Sequence, residues 1–169
     1  MAQYKITDPE RVLIWMEGLL MFEKQMKDEV YEMLSESGYS DKAIEYFQAK
    51  ENIGIIKDAE QITGLTGPCG DTMKISLHIL DDKINDAKIQ VLGCPGAVAS
   101  GCAVVKLAKG KSLEEASRID LDFLYKELEK LPDQKIHCAR LALKTLHKAL
   151  EEYELKGRAK APNENQEWN

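Results

Sequence analysis

A chain of 169 residues with 44% apolar and 31% charged side chains is long enough for about one globular domain with a real core. Its 23 basic against 29 acidic residues leave a net charge of −6, which repels a nucleic acid rather than recruiting it. No apolar run approaches the roughly 18 residues that a membrane span needs, and residues 1–8 lack the basic-then-apolar pattern of a secretory signal, so the expected setting is soluble and cytoplasmic, without membrane or nucleic-acid partners.

In chain order, Asp8-Pro9 reads as a helix start, with aspartate as cap and proline at the first helical position, and the helix should run to about Ser35. Val12, Leu19, Met26 and Met33 recur every seven residues with Trp15 and Phe22 between them. That stripe is expected to be buried, against this chain's own core, a second copy or a partner. After the break at Gly38 a second short helix is expected over residues 41–50. Residues 52–67, with three glycines, read as irregular or weakly extended.

From Met73 to Ile79 apolar side chains fall on odd numbers and polar ones on even numbers, and Ala87, Ile89 and Val91 repeat the pattern after Asp81-Asp82. The two segments should form an antiparallel hairpin. Both apolar sets must face one side, so paired numbers sum to an even value, and a turn near Asp82 selects 164. Ile75 then faces Ile89, Met73 faces Val91, and Asp71 faces Gly93, which brings Cys94 beside Asp71 and near Cys69. Pro95 opens a small-residue helix ending near Gly110, Ser112 ahead of Glu115 gives a capped start, and residues 120–130 form an amphipathic helix that Leu131-Pro132 interrupts. A last helix to about Leu155 carries Ala142, Leu146, Ala149, Leu150 and Tyr153 on its inner stripe, followed by a polar tail expected to be frayed over residues 156–169.

Four cysteines without a C-x-x-C pair argue against a zinc knuckle or a thioredoxin-type couple. Cys69, Cys94 and Cys138 each lie where a strand or loop meets a helix or turn, where dipole ends and free N–H groups favour a thiolate. Each alone is as well read as a core residue. Cys102 lies eight residues past Cys94, about 12 Å along the helix and about 80° round it, and cannot easily share a metal with it. His137 beside Cys138 is a ligand, a base for a nucleophilic thiol, or a solvated neighbour. His78 and His147 are expected at the surface.

Four stretches, PCGDTM (68–73), GCPGAVAS (93–100), KGKSLEEA (109–116) and KIHCA (135–139), in this order and at these intervals, resemble the IscU/NifU N-terminal family of iron–sulfur cluster assembly scaffolds. YSDKAIEYFQAKENIG (39–54) is similar to that family's amino-terminal segment. The resemblance implies an α+β fold, a small mostly antiparallel sheet with helices on one face, over residues 39–155. Residues 1–38 are then a helical extension. It further implies Cys69, Cys94 and Cys138 as cluster thiolates, Asp71 as the carboxylate that keeps the cluster labile, His137 as an alternative fourth ligand and Lys135 as a basic residue near the site. Cys138 would receive persulfide sulfur from a cysteine desulfurase. A transient [2Fe-2S] cluster would be built with iron and with electrons from a ferredoxin or other donor, then passed to apo-proteins. The resemblance also implies a site able to hold zinc, and a homodimer is compatible with the family.

Two local departures matter. Leu131-Pro132-Asp133-Gln134-Lys135 stands where the family's chaperone-recognition stretch reads Leu-Pro-Pro-Val-Lys, and Ser100-Gly101-Cys102 stands in place of a serine run. The 43 residues between Cys94 and Cys138 leave no room for the long insertion of the SufU-type zinc branch. The leading expectation is a non-enzymatic scaffold. Its alternatives are a zinc-holding sulfur acceptor or desulfurase regulator, and a cysteine-nucleophile enzyme using Cys138 and His137, for which no substrate pocket or oxyanion site is evident.

Overall fold

The computed structural model describes residues 9–49 and 51–160. The chain divides into two compact units, Met1–Ser37 and Gly38–Asn169. In the first, helix α1 spans Pro9–Glu36, while the expected cap at Asp8 lies outside the described residues. Within this unit Trp15, Leu19, Phe22, Met26 and Met33 of the apolar stripe are all exposed.

The second unit is α+β, as expected. Helix α2 (Asp41–Gln48) is capped by Ser40, whose hydroxyl accepts the Ala43 N–H at 3.0 Å and donates to the Leu128 carbonyl. Three strands follow, β1 (Gln61–Thr66), β2 (Thr72–Leu80) and β3 (Lys83–Leu92), in an antiparallel sheet of order β1-β2-β3. Of residues 52–67, expected to be irregular or weakly extended, Gln61–Thr66 form strand β1. Its buried side chains are Gln61 and Thr63, polar groups that no apolar alternation reveals, and they are satisfied by Glu152 from the last helix.

Between β2 and β3 the pairing is Met73 with Val91, Ile75 with Ile89 and His78 with Asp86, the register derived from parity. It then shifts between His78 and Ile79, so that Ile79 pairs with Ile84. The irregularity lets the even-numbered Ile84 join the odd-numbered residues in the core, both it and Ile79 being buried. Asp81 and Asp82, at φ 49° and 57°, close the hairpin in the left-handed conformation that a tight two-residue turn requires.

Helix α3 (Pro95–Ala108) packs on β3 so closely that a Cβ on Gly101 would stand 2.6 Å from Ile89 Cδ1. Helix α4 (Leu113–Ser117) opens with a full capping box, Ser112 to Glu115, and α5 (Leu121–Leu128) is capped by Asp120. A 3-10 turn, Asp133–Lys135, leads into α6 (Ile136–Lys160), which lies over β1 and β2 with Ala142, Leu146, Ala149 and Leu150 buried. The expected fraying from residue 156 does not begin there. The Lys156 ammonium donates to Gln61 Oε1 at 2.7 Å and ties this turn to β1. Residues 161–169 lie outside the described part. Among the described residues no helix is long and apolar enough to cross a membrane.

Candidate metal centre

Three chain reversals meet at one end of the sheet. Residues 67–71 link β1 to β2, pinned by the Gly67 N–H on the Asp71 carbonyl at 2.8 Å and the Gly70 N–H on the Gly67 carbonyl at 3.0 Å. Gly70, at φ 87°, supplies a conformation that a side chain would strain. This loop carries Cys69, exposed, and Asp71, half-buried. Cys94 is the N-cap of α3 and makes no side-chain capping bond, so its sulfur is free to point elsewhere. Cys138, in the first turn of α6, is completely buried.

The Cys94 and Cys138 sulfurs are 3.6 Å apart, and each thiol donates to Asp71 Oδ2 at 3.6 Å. Two sulfurs bound to one tetrahedral metal at about 2.3 Å stand about 3.8 Å apart, so this spacing fits a shared cation. Asp71 also belongs to a second group with Cys69 and His137, each group having its ligand atoms within 4.8 Å of one another. One carboxylate is thus common to two sets of three donors.

Its position is enforced by a missing side chain. A Cβ on Gly93 would stand 2.8 Å from the Asp71 carboxyl carbon, the adjacency that the hairpin register predicts for residues 71 and 93. Gly96 gives similar clearance to Lys135 Cβ at 3.1 Å and to the Tyr39 hydroxyl at 3.2 Å.

Electrostatics set the resting state. Burial pushes the Cys138 thiol well above its ordinary value, reinforced by Cys94 and Asp71, so it stays protonated in the absence of a cation. At Lys135, burial alone would lower the ammonium's affinity for its proton. The nearby Cys94, Tyr39 and Cys138 outweigh it, and Lys135, hydrogen-bonded to Cys94, is held above its usual range. Tyr39 is raised by burial and by Cys94 against the opposing charge of Lys135. Sequence reasoning did not place Tyr39 at the site, although it opens the 39–54 stretch, because it lies far from the cysteines along the chain.

The remaining candidates lie elsewhere. Cys102 is buried inside α3, its thiol pushed up to about 11 by burial, and it is in neither donor group. His78 pairs with Glu60 at 2.9 Å, and the exposed His147 places Nε2 2.9 Å from the Ile119 carbonyl oxygen.

Three comparisons bear on this arrangement. The model of the NifU-like N terminal domain matches residues 38–160. The chain is 40% identical over 116 residues to the iron-sulfur cluster assembly scaffold protein IscU 1 of Archaeoglobus fulgidus, covering 68% of this chain and 76% of that protein. It is 36% identical over 130 residues to a Drosophila melanogaster protein named iron-sulfur cluster assembly enzyme IscU, covering 74% and 84%. The crystal structure of a nitrogen-fixing NifU-like protein (N-terminal) from Brucella abortus superposes with a TM-score of 0.58 at 18% identity over 69% of this chain and 94% of that one, a likeness of fold. With a family match over residues 38–160, well over half of its length, the chain belongs to the family of the NifU-like N terminal domain.

Proposed function

We propose that this chain is a scaffold on which iron–sulfur clusters are assembled and from which they are passed to recipient apo-proteins, the work being done by the segment that begins near Gly38. The observation that carries the reading is the mutual 3.6 Å spacing of Cys94, Cys138 and Asp71, with Cys69 and His137 sharing the same carboxylate. The relatives named above are called scaffold protein or assembly enzyme, which supports the same role here.

In this reading the cluster is cargo, a [2Fe-2S] unit held by Cys69, Cys94 and Cys138 with Asp71 or His137 at the fourth position. Soft thiolates suit iron and sulfide, whereas a hard carboxylate is a weaker match and leaves one corner open to exchange. Sulfur arrives as a persulfide. Once the site opens and Cys138 gives up its proton to solvent, its thiolate attacks the terminal sulfur carried by a cysteine desulfurase and displaces the desulfurase thiolate, and two electrons from a ferredoxin or other donor then reduce the transferred sulfur to sulfide. Cys138 is buried, so delivery calls for an opened site. The 67–71 loop, exposed at Cys69 and Gly70, can move without breaking a strand. Lys135 beside Cys94 offsets the negative charge that accumulates as thiols ionise.

The same tetrahedral spacing also suits zinc, which would make the chain a zinc-holding sulfur acceptor or desulfurase regulator. Anaerobic reconstitution with iron, cysteine and a cysteine desulfurase separates the two. The expected result is charge-transfer absorption in the visible region with iron and acid-labile sulfide in the protein fraction. Tight zinc retention with no iron uptake would replace the scaffold reading by the zinc one.

A further inference from the structure

Helix α1 carries an apolar face that the scaffold reading does not use. Trp15, Leu19, Phe22, Met26 and Met33 fall within an arc of about 60° that runs for about 27 Å along the helix. They are 73%, 60%, 60%, 47% and 55% exposed. Glu17 and Asp28 lie on the opposite side and Gln25 and Glu32 at the edge, with Gln25 donating to Glu29 at 2.9 Å, while Leu13, Leu20 and Met21 are exposed outside this arc. These five side chains offer on the order of 600 Å² of accessible surface, the lower end of what one partner contributes to a stable protein interface.

We propose that this face pairs with the same face of a second copy, as an antiparallel two-helix seam that makes the protein a homodimer through its amino-terminal unit. The seven-residue recurrence is the pattern of a helix that meets another helix along its length. A self-complementary face closes with two-fold symmetry. Direction follows from charge and shape. In parallel pairing like positions meet, so Glu29 would face Glu29 within the seam. Antiparallel pairing with numbers summing to 48 instead places Trp15 against Met33, Phe22 against Met26 and Leu19 against Glu29. Both aromatic rings then meet a thioether, a favourable contact. A bilayer is a poorer occupant, because acids outnumber lysines between residues 13 and 36 and an anionic surface would repel the helix.

The test is the mass of the full chain by light scattering after gel filtration, at about 10 to 100 µM because dimer content depends on protomer concentration. Wild type should run at twice its 19.0 kDa chain mass, and Leu19→Glu with Phe22→Glu should run as a monomer with unchanged circular dichroism and undiminished iron uptake. Phe22→Lys alone should weaken the dimer by about tenfold or more. Adding Met26→Glu should recover part of that loss, because antiparallel pairing sets the new lysine against the new glutamate of the other copy. A monomeric wild type, a Leu19→Glu/Phe22→Glu variant that stays dimeric, or binding of the wild-type monomer to anionic vesicles would overturn the proposal, and absence of rescue would overturn the antiparallel direction. Iron uptake reads the scaffold role separately, so either proposal can fail without the other.

Discussion

Asp71 is where the local chemistry of the site is decided. Its carboxylate stands between two thiols on one side and belongs with Cys69 and His137 on the other, and the absent side chain of Gly93 makes room for it. A carboxylate bound to iron among thiolates is the ligand most readily exchanged. Asp71→Ala should therefore lengthen the lifetime of a reconstituted cluster and slow its delivery to an apo-ferredoxin by roughly 10-fold, followed by circular dichroism of the recipient. Unchanged transfer kinetics would assign Asp71 no part in release. The neighbourhood of Asp71 and Gly93 was legible in the sequence because alternation in two strands fixes a parity and a turn fixes the sum. Tyr39 was not legible. Its hydroxyl comes within reach of Gly96 through the packing of α2 and its cap, a long-range effect without local pattern.

Among the elements, those whose burial is apolar and periodic could be read directly. The β2–β3 hairpin, α3 behind its proline, and the cap at Ser112 stand where local chemistry puts them. Strand β1 was legible only as irregular or weakly extended chain, because it buries Gln61 and Thr63 against Glu152, and alternation of polar residues looks like a loop. The apolar stripe of α1 was read correctly as a stripe, but periodicity names a face without naming what covers it. Between α3 and β3 the fit is close enough to test. Gly101→Ala forces a methyl to within 2.6 Å of Ile89 Cδ1. Overpacking of this kind costs about 1 to 3 kcal/mol, against which alanine returns about 1 kcal/mol of helix propensity. Urea unfolding should show a net loss of stability of up to about 2 kcal/mol, and a stabilised variant would mean that α3 can shift away from the sheet.

On the scale of the whole molecule, the sheet and its two covering helices bring residues 69, 71, 94, 137 and 138 together from a loop and two helix N-termini, while Cys102 stays in the core. The fold does this by closing hairpins and starting helices at one end of the sheet, so donors distant in sequence converge without any of them lying in a regular strand. Burial holds the Cys138 thiol above its ordinary value, and Lys135 lies beside Cys94 as a positive charge. The most direct test of this convergence is the iron and sulfide content per chain after anaerobic reconstitution of four single variants, Cys69→Ser, Cys94→Ser, Cys138→Ser and Cys102→Ser. The account predicts that the first three lose most of the bound iron and sulfide and that Cys102→Ser retains wild-type content. Equal loss in Cys102→Ser, or full retention in any of the other three, would contradict it.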